Sequence, residues 1–421
     1  LLLITFLGAV ILLSTNIEIN KLGNLPDSKM RLSELFITLS SALDMDNFEI
    51  LDHSRRVAYI ALEIAKSLEL EREEINQLVL AALIHDIGII DTAKKEEAQQ
   101  LFQVELGLAE SHCKLGAELT GKLNFMPELA DIIYYHHHNW SGNNFDRVQQ
   151  EEIPLASRII HLADRIEALI DPDSFILNQV DHILGAIKSR SGSWFDPELV
   201  KKFSAIAQKE SFWLNLKVKE YNNILEKWGK STRVNINLSN LESIASIVAH
   251  LIDRVSPFTS RHSTGVATIA AMITHELGYS FQEQRAIRIA GLFHDLGKLI
   301  VPAEIIEKKS ELTAAEFKLV KQHTFYTYRL LNKIQGMGSI PDWAAFHHER
   351  LDGTGYPFRI RGDQLNTGSR IMAVSDVFQA LTEDRPYRAA FSISKALNII
   401  DQMQQERKLD GEIISVLKNA I

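Results

Sequence analysis

HSRRVAYIALEIAKSLEL (53–70) and HSTGVATIAAMITHELGY (262–279) are one element written twice. At an offset of 209, Val57, Ile60, Ala61, Ile64 and Leu68 fall on Val266, Ile269, Ala270, Ile273 and Leu277. The spacing i, i+3, i+4, i+7, i+11 marks one face of an amphipathic helix, so these positions predict a helix whose apolar face packs into a core. Self-similarity of this kind also predicts that the chain is a duplication, and the polar residues around it test that reading.

The polar residues keep the register. His53 pairs with His262, and His85-Asp86 with His294-Asp295, both at 209. His112 pairs with His323 and His136-His137 with His347-His348 at 211, Asp164 with Asp376 at 212, and Asp196 in FDPELV with Asp410 in LDGEII at 214. A slowly drifting offset is what small loop insertions after duplication produce. Ten of the 15 histidines lie in the register; His138, His161, His182, His250 and His275 do not and read as ordinary surface or core histidines. The chain divides into a leading apolar segment (1–30), a first unit (31–213), a linker (214–237) and a second unit (238–421). The linker holds the charged stretch KVKEYNNILEKWGKSTR and reads as helical. Helical periods dominate throughout, so the fold class is all-α, two homologous helical bundles in tandem.

Composition narrows the function classes. The 421 residues are 46% hydrophobic and 24% charged, which excludes collagen-like, disordered and polytopic membrane chains. A net charge of −9 gives no general attraction for a polyanion, so no long nucleic acid is expected as partner. An anionic substrate would need a local cluster of Lys and Arg. Cys113 is the single cysteine, which leaves no disulfide framework and no Cys-rich zinc site and fits a reducing cytoplasm. Residues 1–13, LLLITFLGAVILL, fall short of the roughly 20 apolar residues of a spanning helix. They read either as the tail of a membrane span or as an over-extended start with Met30 the initiator. Membrane association would rest on residues 1–13 alone, and a cytoplasmic body is expected. Oligomeric state is not readable.

Each unit offers five histidines and two aspartates. Imidazole and carboxylate ligands suit first-row metals such as Fe, Mn, Ni or Zn. Seven ligands exceed the four of a closed tetrahedral zinc site and fit two ions with one Asp bridging. Adjacent His and Asp side chains diverge by roughly 100° on a helix, so each His-Asp doublet reaches one cluster best near a helix end, and Gly297 is consistent with such an end.

The second unit resembles the HD-GYP family of bacterial cyclic-dinucleotide phosphodiesterases. The segments that carry the resemblance are RHSTGV (261–266), GLFHDLGKLIVP (291–302), HHERLDGTGYP (347–357) and SDVFQALTEDRPYR (375–388). The two-unit layout is similar to tandem HD/HD-GYP proteins, some of which act on hybrid cyclic GMP-AMP. The resemblance implies that His262, His294, Asp295, His323, His347, His348 and Asp376 are metal ligands, with Asp295 the bridge. It implies two divalent ions, with Fe or Mn expected, and a cyclic dinucleotide (cyclic di-GMP or 3'3'-cyclic GMP-AMP) opened to the linear form by activated water. Asp295 and Lys298 are the implied catalytic residues, and Lys298, Tyr356, Arg385 and Arg388 the implied substrate contacts. Some relatives hold a third metal through a Glu four residues before the first histidine; Phe258 stands there, so two metals are expected. For Arg385 and Arg388 the plainer role is an ion pair with Glu383 or Asp384, and for Gly353, Gly355 and Pro357 an ordinary loop.

The first unit keeps the candidate ligands His53, His85, Asp86, His112, His136, His137 and Asp164, a second candidate metal set. Ile89 stands in place of Lys298, GNNFD (142–146) in place of GTGYP, and Asp173 and Ile176 in place of Arg385 and Arg388. Glu49, four residues before His53, is either a further ligand or a solvated loop acid. Such a unit should hold a cyclic dinucleotide poorly, so turnover is expected in the second unit and a structural, regulatory or interface role in the first. A nucleotidase acting on mononucleotides and a non-catalytic binding module are the competing functions.

Overall fold

The computed structural model describes residues 22–27, 30–46, 49–50, 52–89, 106–142, 144–232, 234–255, 261–306, 308, 310–384 and 388–421. The expectations for residues 1–13, Phe258 and Arg385 lie outside them. Helices account for the architecture; the strands among the described residues are an antiparallel pair, Met45–Asp46 with Glu49–Ile50. The two stretches that open the repeat form the helices His53–Ser67 and His262–Glu276. Val57, Ile60, Ala61 and Ile64 are buried, as are Val266, Ile269, Ala270 and Ile273. Fully burying one such aliphatic side chain contributes about 1.5–3 kcal/mol, so the apolar face alone holds each helix in place.

Each unit is built round the same three helices. In the first, His53–Ser67 packs on Arg72–Leu83 and Leu155–Ala168; in the second, His262–Glu276 packs on Phe281–Phe293 and Thr367–Thr382. Local sequence starts these helices cleanly. Glu71, Ser280 and Thr313 each close a capping box with the Glu three residues on, satisfying amide groups that the helix leaves unpaired. Asp196 and Asp410 cap the helices Pro197–Ile206 and Gly411–Ala420, and each also receives an arginine, Arg158 at 2.6 Å and Arg370 at 3.1 Å. This repeated pair is a structural clasp.

Two boundaries differ from the sequence expectation. Position 213/214 falls inside the helix Glu210–Lys217, whose Phe212, Trp213 and Leu216 are buried. The stretch read as linker forms the helix Tyr221–Ser231, which packs on His53–Ser67, with Tyr221 donating to Asp52 at 3.0 Å. Its apolar residues Tyr221 and Leu225 are buried, so burial holds it to the first unit. The described residues of the leading segment, 22–27 and 30, are structural too. Leu22 and Met30 are fully buried, Asp27 N–H donates to Gly336 O at 2.7 Å, and Ser339 N–H donates to Asn24 O at 2.8 Å. Gly338 lies in the left-handed region, and a Cβ there would stand 2.3 Å from Asn24 O, so this strap against the second unit needs a glycine. The strap leads into the helix Leu32–Leu43, which touches both the first unit and the turn Leu296–Ile300 of the second. No helix among the described residues is long and apolar enough to cross a membrane.

Candidate metal centre

Helix ends deliver the paired ligands, as the geometry of adjacent side chains demands. His294 caps the helix Phe281–Phe293, and Asp295 opens the tight turn Leu296–Ile300. His347 and His348 follow the end of the helix Ile340–Ala345. His262 is the first residue of its helix, whereas His323 and Asp376 lie within Ala314–Leu331 and Thr367–Thr382. A Cβ on Gly297 would stand 2.0 Å from His323 O, and one on Gly88 equally close to His112 O. Each glycine lets the turn after the His-Asp doublet lie directly against the helix that carries the lone histidine.

In the second unit all seven expected ligands converge. His262 Nε2 lies 3.3 Å from Asp376 Oδ1, and His294 Nε2 lies 3.1 Å from Asp295 Oδ2. The other oxygen of Asp295 lies 3.4 Å from His323 Nε2, and His323 Nε2 lies 3.3 Å from His347 Nε2. His348 Nδ1 stands 3.7 Å from Asp376 Oδ2. Two ligand groups result, one around His262, His294 and Asp376 and one around His323, His347 and His348, with Asp295 facing both. Nδ1–H of His294, His323 and His347 points at the carbonyl oxygens of Gly291, Val320 and Ala344, at 2.6–2.7 Å. That leaves a lone pair on each Nε2 aimed into the cluster. Two such lone pairs 3.3 Å apart repel, and the buried His294 Nε2 makes no hydrogen bond. Nitrogens that share an ion at about 2.1 Å lie about 3 Å apart, so this donor set fits a divalent cation.

Charge supports the same arrangement. Burial pushes His323 down to about 4 and His347 to about 3, keeping both neutral and able to ligate. Burial also opposes ionisation of Asp295 and Asp376, but His294 and Lys298 hold the first, and His262 the second, well below the carboxylate range. His262 goes the other way. Burial opposes its protonation, yet its bonds to Asp376 and Glu383 raise it to about 9. Lys298 Nζ lies 2.6 Å from Asp295 Oδ2. The ring of Tyr356 lies 4.9 Å from that of His348, with Lys321 Nζ above it at 4.9 Å. Arg388 is engaged elsewhere: it donates to the carbonyls of Ala380, Leu381 and Ala389 and lies over Phe391, closing the end of the helix Thr367–Thr382.

The first unit repeats the cluster. Asp86 Oδ2 lies 3.4 Å from His85 Nε2 and 3.6 Å from His53 Nε2, and its Oδ1 lies 3.7 Å from both His112 and His136. Asp164 reaches His53 at 3.4 Å and His137 at 3.9 Å. Burial opposes protonation of His53, but Glu167 and Asp164 raise it to about 10. The side chain of Glu49 lies outside the described residues. Of the histidines outside the register, His138 and His161 are buried, and His182, His250 and His275 are exposed.

Several site residues are absent from the sequence reading. Glu383 and Glu167 orient His262 and His53 through Nδ1, at 2.9 and 2.6 Å. They hid because one stands seven residues after Asp376 and the other three after Asp164. Asp253 and Asp44 bind the serine after each of those histidines, Ser263 and Ser54; both pairs keep the 209 offset, a signal open to inspection. Glu349, 1% exposed, accepts the amides of Phe358, Arg359 and Ile360 at 2.8–3.1 Å and so anchors the loop after Pro357. The first unit adds two cations where the second has Gly265 and Val377: Arg56, paired with Glu167, and Arg165, paired with Asp164 at 2.6 Å.

Comparison with known proteins gives consistent results. A family model described as HD domain matches residues 38–199 and 246–413. The 3'3'-cGAMP-specific phosphodiesterase 1 of Vibrio cholerae is 31% identical over 96% of this chain and 93% of its own. A crystal structure of a cyclic GMP-AMP-specific phosphodiesterase from the same organism superposes with a TM-score of 0.64 at 28% identity, covering 93% of this chain and 97% of that one. A cyclic di-GMP phosphodiesterase of Pseudomonas aeruginosa is 36% identical over a shorter stretch, 33% of this chain and 34% of its own.

Proposed function

The chain belongs to the HD domain family, its second half to the HD-GYP branch, and from that premise we propose that it is a cyclic-dinucleotide phosphodiesterase whose turnover resides in residues 238–421. The observation that carries this reading is Asp295, which faces both ligand groups and also meets Lys298. The family and the clusters support divalent metal binding; two ions, Fe or Mn, at the seven ligands of the second unit are part of the proposal. Such ions would supply a water of lowered pKa and offset charge on the phosphate. This chain's residues do the rest. Glu383 and the three backbone carbonyls fix the imidazoles, so little reorganisation is left for the reaction. Lys298 places a fixed cation beside the phosphate oxygens. Tyr356, held over His348 and beneath Lys321, forms the lip against which the substrate's base side rests. End-to-end relatives named for 3'3'-cGAMP make that hybrid the preferred substrate in this proposal, with cyclic di-GMP second. A cytoplasmic setting belongs to the same reading.

Chromatography of products from 3'3'-cyclic GMP-AMP, cyclic di-GMP and a mononucleotide, with metal content measured on the same sample, tests it. Linear dinucleotide from metal-loaded protein is expected. Phosphate released only from the mononucleotide would replace this reading with a nucleotidase, and binding of the cyclic dinucleotides without turnover would replace it with a signalling module.

A further inference from the structure

Beside the first unit's cluster lies a cavity of about 450 Å³, within the range of small-molecule sites. His53, Asp86 and Asp164 of that cluster line it. Arg56 and Arg165 also line it, held in place by Glu167 and Asp164, and Lys217 and Lys219 stand exposed at its edge. None of these four cations occupies a position that supplies an expected phosphate contact in the second unit. Ile176 and Ile89, which stand where that unit has Arg388 and Lys298, line the cavity instead, and Ile170, Pro172 and Leu216 extend the apolar wall. The first unit has therefore not simply lost its grip on anions. It has moved its cations and filled the old positions with hydrocarbon.

We propose that this cavity is a separate nucleotide-binding site, with the ligand's phosphate toward Arg56, Arg165 and the His/Asp cluster and its base against the apolar wall. A lining that combines cations beside the His/Asp cluster with apolar side chains suits a phosphate ester carrying a flat organic group better than free phosphate. Charge sets a further condition. The lining has four Lys and Arg against five carboxylates, so it is nearly neutral until the cluster takes up a divalent ion, each of which adds two positive charges. Ligand binding is therefore coupled to metal loading. This site goes beyond the proposed activity, which concerns the other half of the chain.

The test uses the full chain carrying Asp295→Ala, which stops turnover in the second unit. Calorimetric titrations employ 3'3'-cyclic GMP-AMP, the linear dinucleotide and inorganic phosphate, each with Mn-loaded and chelator-stripped protein. The expected result is nucleotide binding that is lost on stripping, weakened roughly tenfold or more by Arg165→Met, and weakened roughly threefold by Lys217→Ala/Lys219→Ala at an unchanged thermal midpoint. The exposed lysine pair keeps the test valid if the buried arginine variant misfolds. Preference for the cyclic or the linear form tells whether the second unit's substrate or its product is the ligand. Binding of phosphate alone, no nucleotide binding, or binding insensitive to both sets of first-unit changes overturns the proposal. Wild-type turnover is measured separately, so failure of the phosphodiesterase reading is distinguishable.

Discussion

The two halves of this chain share a ligand cluster and differ in what surrounds it. Both place an aspartate between histidines from four separate segments, and both orient the leading histidine with a glutamate. Around that constant centre the second half sets Lys298 and the Tyr356 ring, while the first sets Arg56, Arg165 and an isoleucine-lined cavity. The comparison teaches that metal ligands are constrained jointly, since moving one disables the rest. Residues that meet a ligand's periphery are constrained one at a time and diverge first.

The sharpest way to break this comparison is to remove each His-Asp doublet in turn. Replacing His294 and Asp295 with Ala should lower turnover by roughly a thousandfold or more, because the proposed reaction depends on the ions they are proposed to hold. Replacing His85 and Asp86 should leave turnover within a few-fold. A steady-state assay decides, and the opposite order would reverse the assignment of the halves. Lys298→Ala comes next, with an expected loss of roughly a hundredfold in kcat and unchanged metal content. Metal loss in that variant would make Lys298 a support for Asp295 and not a contact for the phosphate. Glu383→Gln should weaken metal retention in the second half by roughly 10–100-fold, read by competition with a chelator. Glu167→Gln should do the same in the first half; a large difference between the two would show that only one cluster holds an ion. The smallest effect belongs to the clasps. Asp196→Ala and Asp410→Ala should each cost about 1 kcal/mol of stability, measured by denaturant unfolding, with turnover unchanged.

Much of the centre was legible in the linear sequence because duplication printed it twice. His53 and His262 begin helices whose apolar faces repeat exactly in step, and Asp86 and Asp295 follow a histidine at a helix end because adjacent side chains can converge only there. What stayed hidden were contacts that do not keep the register. Glu167 does from within the helix Leu155–Ala168 what Glu383 does from just past the end of Thr367–Thr382, so alignment passes over them. Arg388 has the composition of a phosphate contact, but only the fold shows its guanidinium spent on carbonyls at a helix end. Arg56 and Arg165 were hidden for the converse reason: their counterparts are Gly265 and Val377, and a search for lost cations does not look where none stood. The span 214–237 reads as a charged linker because its buried apolar residues, Leu216, Tyr221, Leu225 and Ile236, are few among polar neighbours.

The strap formed by the leading residues has an evolutionary consequence. Leu22 and Met30 lie in the shared interior, and the chain around them is stitched to Gly336 and Ser339 before it enters the other half. Gene fission between the two halves would therefore uncover part of the second half. It would strip hydrocarbon cover from the second half, so the two copies are tied to each other by packing as well as by the chain that joins them.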